Sequence, residues 1–174
     1  MSEVDPVKSE RSRKSRNKGA GFERDVAKAL SKWWGSGPLS FRRTPLSGGW
    51  DRTKAAGDLL VPDDFPWAIE CKATKLWDLA QLITGEGALV NYWRQAATDA
   101  AYACPPRAPV LLLRNRSVGT LLVMRWCDVP ADRLGPFPRQ IRGQIDGERV
   151  VVYQFAALLH DLDPEAIRLR KAAP

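Results

Sequence analysis

Apolar positions along the chain fall in blocks whose period changes, and the changes mark the elements. In AGFERDVAKALSKWW, residues 20–34, Phe22, Val26, Leu30 and Trp33 recur on one helical face, and Gly35 supplies a stop. SFRRT (40–44) is a short strand candidate. DLLVP (58–62) and WAIECKA (67–73) read as two strands joined by a DDFP turn, a hairpin. LWDLAQLI (76–83) predicts a short helix broken by GEG. ALVNYWRQAATDAAYA (88–103) predicts a longer one, with Leu89, Trp93, Ala96 and Ala100 on one side and Pro105 and Pro106 beyond its end. PVLLLRN (109–115) is an unbroken apolar run, the mark of a strand buried on both faces. TLLVMRW (120–126) predicts the next strand after an RNRSVG turn. Residues 128–148 read as loop-rich, and RVVVYQF (149–155) as a strand. Asp163, Pro164 and Glu165 open a last helical stretch, with Asp163 as N-cap and Pro164 in the first turn. Helix, three strands, helix and two strands make an α/β layer architecture with a mixed sheet.

Length and composition fit this picture. The chain of 174 residues, 44 % hydrophobic, suits one domain with a sizeable core. Residues 1–18 have almost nothing to bury and are expected to be a disordered basic N-terminal arm, leaving 19–174 as the single folded domain. Arg11, Arg13, Lys14, Arg16 and Lys18 make that arm either a solubilising tail or a weak phosphate contact. A net charge of +7 points to a polyanionic partner or to simple solubility. Cys71, Cys104 and Cys127 are odd in number and form no CxxC pair, which argues against a disulfide framework or zinc site. No apolar run approaches the ~20 residues that span a bilayer, and the polar N-terminus lacks a signal-peptide core. The expectation is a cytoplasmic protein without membrane contact.

The chemistry concentrates in AGDLLVPDDFPWAIECKATK, residues 56–75. Charged residues are seldom buried unless paired or bound to metal, yet Glu70 and Lys72 interrupt an apolar strand. Residues two apart in a strand share a face, so Glu70 and Lys72 project together while Cys71 points the other way. The hairpin would bring Asp58 within reach of Glu70. Two close carboxylates repel unless a cation lies between them. Asp58, Glu70 and the Cys71 backbone carbonyl suit Mg²⁺, a hard cation that takes oxygen ligands and keeps several waters. A water held there becomes a nucleophile, and Lys72 is placed to orient it or to meet charge developing on a phosphate. A bland ion pair on an exposed sheet face is the alternative for a lone ExK. The combined pattern of GD, ECK, apolar flanks, basic balance and Glu23 favours a metal-dependent phosphodiesterase.

GD…ECK resembles the metal-site motif of the PD-(D/E)xK nuclease superfamily. NKGAGFERDVAKAL, FRRTPLSGG, GDLLV and WAIECKATK together resemble archaeal-type Holliday junction resolvases over residues 17–115. The resemblance implies a restriction-endonuclease-like core, a mixed central β-sheet flanked by helices. It implies a homodimer that binds branched double-stranded DNA, cuts a four-way junction by paired symmetric nicks, and uses Mg²⁺, with Mn²⁺ as a substitute and no small-molecule cofactor. Carried over by position, Glu23, Asp58, Glu70, Lys72 and Ser47 form the catalytic set, and Glu23, Asp58 and Glu70 are the metal-binding side chains. Arg24, Arg42 and Arg43 match DNA-contacting positions. The segment GGWDRTKAAG separates Ser47 from Asp58 by more than the family pattern does, and offers Arg52 and Lys54 as further DNA contacts. The compact form suggests a phage-encoded chain acting in the host cytoplasm. Other PD-(D/E)xK endonucleases (restriction, repair or nicking) and a non-catalytic DNA-binding protein on the same fold stay open.

Other conspicuous residues have ordinary explanations. Trp33, Trp93 and Trp126 are expected in the core, as are the cysteines. Trp50 has a possible stacking role, Arg114 and Arg116 read as solvated, and His160 has no evident partner.

Overall fold

A computed structural model describes residues 6–35, 37–44, 57–75, 77–78, 80–115, 119–130 and 140–169, with side chains from residue 17 onward. The first element is a helix, α1 (Pro6–Trp34), which packs Phe22, Val26, Leu30 and Trp34 into the core. Trp34, and not the half-buried Trp33, completes the buried face. The helix also begins earlier than the periodicity predicts: the backbone of residues 6–18, expected as a disordered arm, continues it. Pro6 is tolerated in the first turn, and no Gly or Pro interrupts residues 7–18. A helix already fixed by packing further along extends at little further cost.

Two short strands, β1 (Arg42–Arg43) and β2 (Leu59–Leu60), pair antiparallel as a separate ribbon. The main sheet contains β3 (Trp67–Lys72), β4 (Ala108–Asn115), β5 (Gly119–Arg125), β6 (Gln140–Ile145) and β7 (Glu148–Gln154), in the order β3-β4-β5-β7-β6. β3 and β4 run parallel and the other neighbours antiparallel, so the sheet is mixed. Between β3 and β4 lie a single turn, α2 (Gln81–Thr84), and the long α3 (Ala88–Tyr102). A short α4 (Phe155–Asp161) follows β7. Helices flank a five-stranded mixed sheet, an architecture compatible with a restriction-endonuclease-like fold.

The alternation along β4 divides the interior. Val110 and Leu112 join the cluster under α1, while Leu111 and Leu113 join that under α3, with Leu89, Trp93 and Ala96 of the helix. Burial on both faces is therefore the reason β4 is apolar throughout. Phe65 anchors the α1 side, meeting Phe41, Trp34 and Trp67 edge-on at 4.8, 5.0 and 5.5 Å between ring centres.

Several expectations are corrected. β2 and β3 do not form a hairpin: the chain at Gly57 meets Ile69 through an isolated parallel bridge, and β2 pairs with β1 instead. β6 lies within the stretch read as loop. Its only buried residue is Ile145, which leaves little hydrophobic alternation to detect, but Asp146 and Gly147, both at positive φ, are the hairpin turn that joins it to β7. α4 takes over from β7 at Phe155, inside the stretch read as strand. Trp126 is 39 % exposed because the strand stops before it, and the Arg142 guanidinium lies 4.2 Å over its ring. Cys104 and Cys127 are exposed, and Cys71 alone is a core cysteine. His160 has a partner, Asp161, 2.7 Å from Nδ1.

Candidate active site

β3 is an edge strand, so one side of its backbone is open to other partners. The chain at Gly57 and Asp58 fills that side. Asp58 N–H donates to the Ile69 carbonyl at 2.8 Å, and the Asp58 carboxylate accepts from Cys71 N–H at 2.8 Å. Thr44 closes the arrangement from β1: its N–H donates to the Asp58 carbonyl at 2.8 Å and its hydroxyl to the Gly57 carbonyl at 3.1 Å. The glycine before Asp58 has a reason. Gly57 has φ +80, and a Cβ there would run into the Ile69 carbonyl. Only glycine allows the backbone close enough for Asp58 to make its two bonds to β3.

Glu70 is 2 % exposed, the only buried charged residue among those described. Its Oε1 accepts from Lys72 Nζ at 2.5 Å. Burial, then the charge of Asp58, pushes its pKa from 4.5 to about 8, against the pull of Lys72. Asp58 rises to about 6, again through burial first, with the Cys71 N–H opposing and Glu23 adding to the rise. Burial and mutual repulsion make two full negative charges unfavourable there near neutrality. Burial lowers the pKa of Lys72, but the Glu70 charge and hydrogen bond outweigh it and the net direction is upward, so the ammonium is retained.

α3 supplies a wall that the sequence reading missed. Gln95 Oε1 accepts from Lys72 Nζ at 2.8 Å, the Tyr92 ring lies 5.5 Å from the same nitrogen, and Asp99 adds negative charge near both carboxylates. Tyr92, Gln95 and Asp99 fall at i, i+3 and i+7, one helical face. That polar stripe is visible in the sequence beside the apolar face of Leu89, Trp93 and Ala96.

The predicted site residues separate into groups. Asp58, Glu70 and Lys72 come together on the edge of β3. The Cys71 carbonyl lies on that edge too, since N–H and C=O of one strand residue point the same way. Glu23 approaches the same carboxylates from α1, and its charge acts on Asp58 more strongly than that of Lys72. It receives the Arg43 guanidinium as an ion pair between α1 and β1, and its charge reaches Asp58 only through space. Arg24 and Arg42 are exposed beside it, and Lys18 is exposed further back on α1. Arg11, Arg13, Lys14 and Arg16 belong to the helical backbone, but their side chains lie outside the described residues, as do Ser47, Trp50, Arg52, Lys54 and Arg116.

No three His, Cys, Asp or Glu residues among those described are grouped closely enough to hold a metal ion. What the site offers is smaller: two carboxylates and a strand carbonyl, all oxygen, with an ammonium alongside. An all-oxygen set that leaves room for several waters suits Mg²⁺ or Mn²⁺ better than zinc, and a cation there would relieve the carboxylate repulsion. No helix among the described residues is long and apolar enough to cross a membrane.

A family model described as "Phage putative PDDEXK endonuclease" matches residues 14–168. No curated protein and no solved structure gives a significant match to the chain.

Proposed function

The chain belongs to the phage PDDEXK endonuclease family, and from that membership we propose that it is a metal-dependent endonuclease of branched DNA, resolving four-way junctions by paired symmetric nicks. The observation that carries the catalytic part is the pairing of buried Glu70 with half-buried Asp58 at the edge of β3, with Lys72 bonded to Glu70. Asp58, Glu70 and the Cys71 carbonyl are the groups that would hold the ion. A bound Mg²⁺ would supply a water of lowered pKa and positive charge toward the scissile phosphate. Asp58 is fixed by the Cys71 N–H, so its carboxylate needs no reorganisation to act as a ligand. Lys72 keeps its proton and faces the same spot, where it neutralises charge on the phosphate or orients the attacking water. Gln95 and Tyr92 hold its Nζ in place. Glu23 and Arg43, the next pair out, steady the β1 side of the site.

Junction resolution is the finer part of the reading. It rests on the resemblance of the four sequence blocks to archaeal-type resolvases, and symmetric paired nicks further require a homodimer, with two sites at a fixed separation. Family membership also accommodates a restriction, repair or nicking enzyme, which is the second reading. The test is cleavage of matched four-way junction, linear duplex and flap DNAs, with and without Mg²⁺, beside Glu70→Gln. Metal-dependent paired nicks confined to the junction and lost in the variant support resolution. Equal cutting of duplex or flap keeps the nuclease and removes the resolvase. Binding without cleavage under either metal leaves only a DNA-binding protein.

A further inference from the structure

Between α1 and the segment leading into β1 lies an open cleft of about 780 Å³. Its composition is one-sided. Arg24, Lys28, Lys32, Arg42 and Arg43 line it, and among the described residues no carboxylate does. Arg24, Lys28 and Lys32 follow one another at four-residue steps on α1, a cationic ridge rising about 6 Å per step. Of the five cations only Arg43 makes an ion pair among the described residues, with Glu23. Apart from Ser31, whose hydroxyl is occupied by the Phe41 N–H, the side chains between the charges are apolar: Ala27 and Phe41 are buried in the floor, and Leu39 stands 70 % exposed beside Pro38. The active-site end of the cleft is marked by Arg43, which both lines it and holds Glu23, whose charge reaches Asp58.

A strip of phosphate contacts alone would not need an exposed leucine over an apolar floor, and a small-molecule anion would not need a ridge of three cations. The volume falls in the range of pockets for small ligands, room for a nucleotide or two and not for the width of a duplex. A positively charged groove that tracks the backbone is a feature of single-strand binding sites; with Phe41 buried, the surface this cleft offers to bases is the aliphatic one of Leu39 and Pro38.

We propose that this cleft binds a single DNA strand where it leaves its duplex, and so feeds the branch point of the substrate to Asp58 and Glu70. The proposal rests on the nuclease reading for its link to cleavage, but the binding itself can be measured without it. Lys28 and Lys32 are the residues to change, being exposed and making no ion pair with a carboxylate among the described residues. Salt-dependent anisotropy titrations in EDTA compare the full chain with the Lys28→Gln/Lys32→Gln variant, on a single-stranded oligonucleotide and on its blunt duplex. Two lost phosphate contacts lower the slope of log K against log salt on single strand by about 1.4. The expected result is that reduction, with single-strand affinity down about tenfold or more at low salt and duplex affinity changed by much less. Leu39→Ser is expected to weaken single-strand binding without altering the slope. Equal losses on both DNAs overturn the single-strand assignment, and unchanged binding to both overturns the cleft altogether. Cleavage is scored separately: a chain that never cuts but shows the expected binding pattern sinks the nuclease and leaves the cleft, while normal cutting with unchanged variant binding does the reverse.

Discussion

Replacing Glu70 by Gln should make the metal-free protein more stable at high pH, although it removes a hydrogen-bonded carboxylate. Glu70 is almost wholly buried, and burial followed by the charge of Asp58 raises its pKa from 4.5 to about 8. Between those two values the folded chain keeps a proton that the unfolded chain has released. Stability therefore falls as pH rises through that window and is fully present below it. At about 1.4 kcal/mol per pH unit the whole rise corresponds to about 5 kcal/mol. Asp58 titrates together with Glu70, so about half, roughly 2–3 kcal/mol, is the share expected for Glu70 alone. In a chain of this length each kcal/mol moves Tm by about 2–4 °C. In EDTA near pH ~8.5, Glu70→Gln should melt about 5–10 °C above the parent, with the gap closing toward pH ~4.5. Mg²⁺ should raise the Tm of the parent and leave the variant unmoved. Calorimetry on both proteins across that range, with and without Mg²⁺, decides it. A variant less stable than the parent at high pH, or a difference that does not change with pH, would refute the description of Glu70 as a carboxylate forced out of water by folding.

Other consequences follow from the same geometry. Gly57→Ala sets a Cβ against the Ile69 carbonyl at a residue with φ +80; a loss of about 1–3 kcal/mol in denaturant unfolding, together with lost cleavage, is expected, and an unchanged midpoint would show that the strand edge does not need that close approach. Lys72→Met removes the ammonium but keeps the stem; kcat should fall by about 10²–10³ with DNA affinity changed far less, and a fall confined to KM would assign Lys72 to binding instead. Gln95→Ala should lower kcat by a smaller factor and shift the alkaline limb of its pH profile, since Gln95 acts through Lys72; a flat profile would reduce it to a surface residue. Trp34→Ala empties the aromatic cluster around Phe65 and should cost about 3–5 kcal/mol, read by urea unfolding; a loss below 1 kcal/mol, about the scale of an ordinary surface change, would mean that the cluster does not anchor α1.

Backbone periods and turn residues carry as much of this protein as local rules can. The 3.6-residue period fixed the apolar faces of α1 and α3, since one stripe of each had to be buried. The unbroken run of β4 announced a strand covered on both sides. Two-residue spacing put Glu70 and Lys72 on one face and Cys71 on the other, where it joins the core. What the local pattern left open was partnership. Nothing in DLLVP says whether it pairs with the strand that follows or the one before, because pairing is decided by where the chain is led through space. Here Thr44 and β1 captured β2, and Asp58 reached β3 through a parallel bridge and a side-chain bond to Cys71. β6 had no apolar alternation to betray it; its place at the sheet edge follows from a tight turn and pairing with β7. The α3 wall over Lys72 and the cationic cleft beside β1 likewise exist only once distant segments are packed together. Helix faces and strand alternation depend on backbone periods that neighbouring residues set. The charge environment of the Asp58–Glu70 pair depends on groups from α1, β3 and α3, which only the tertiary fold brings within reach of one another.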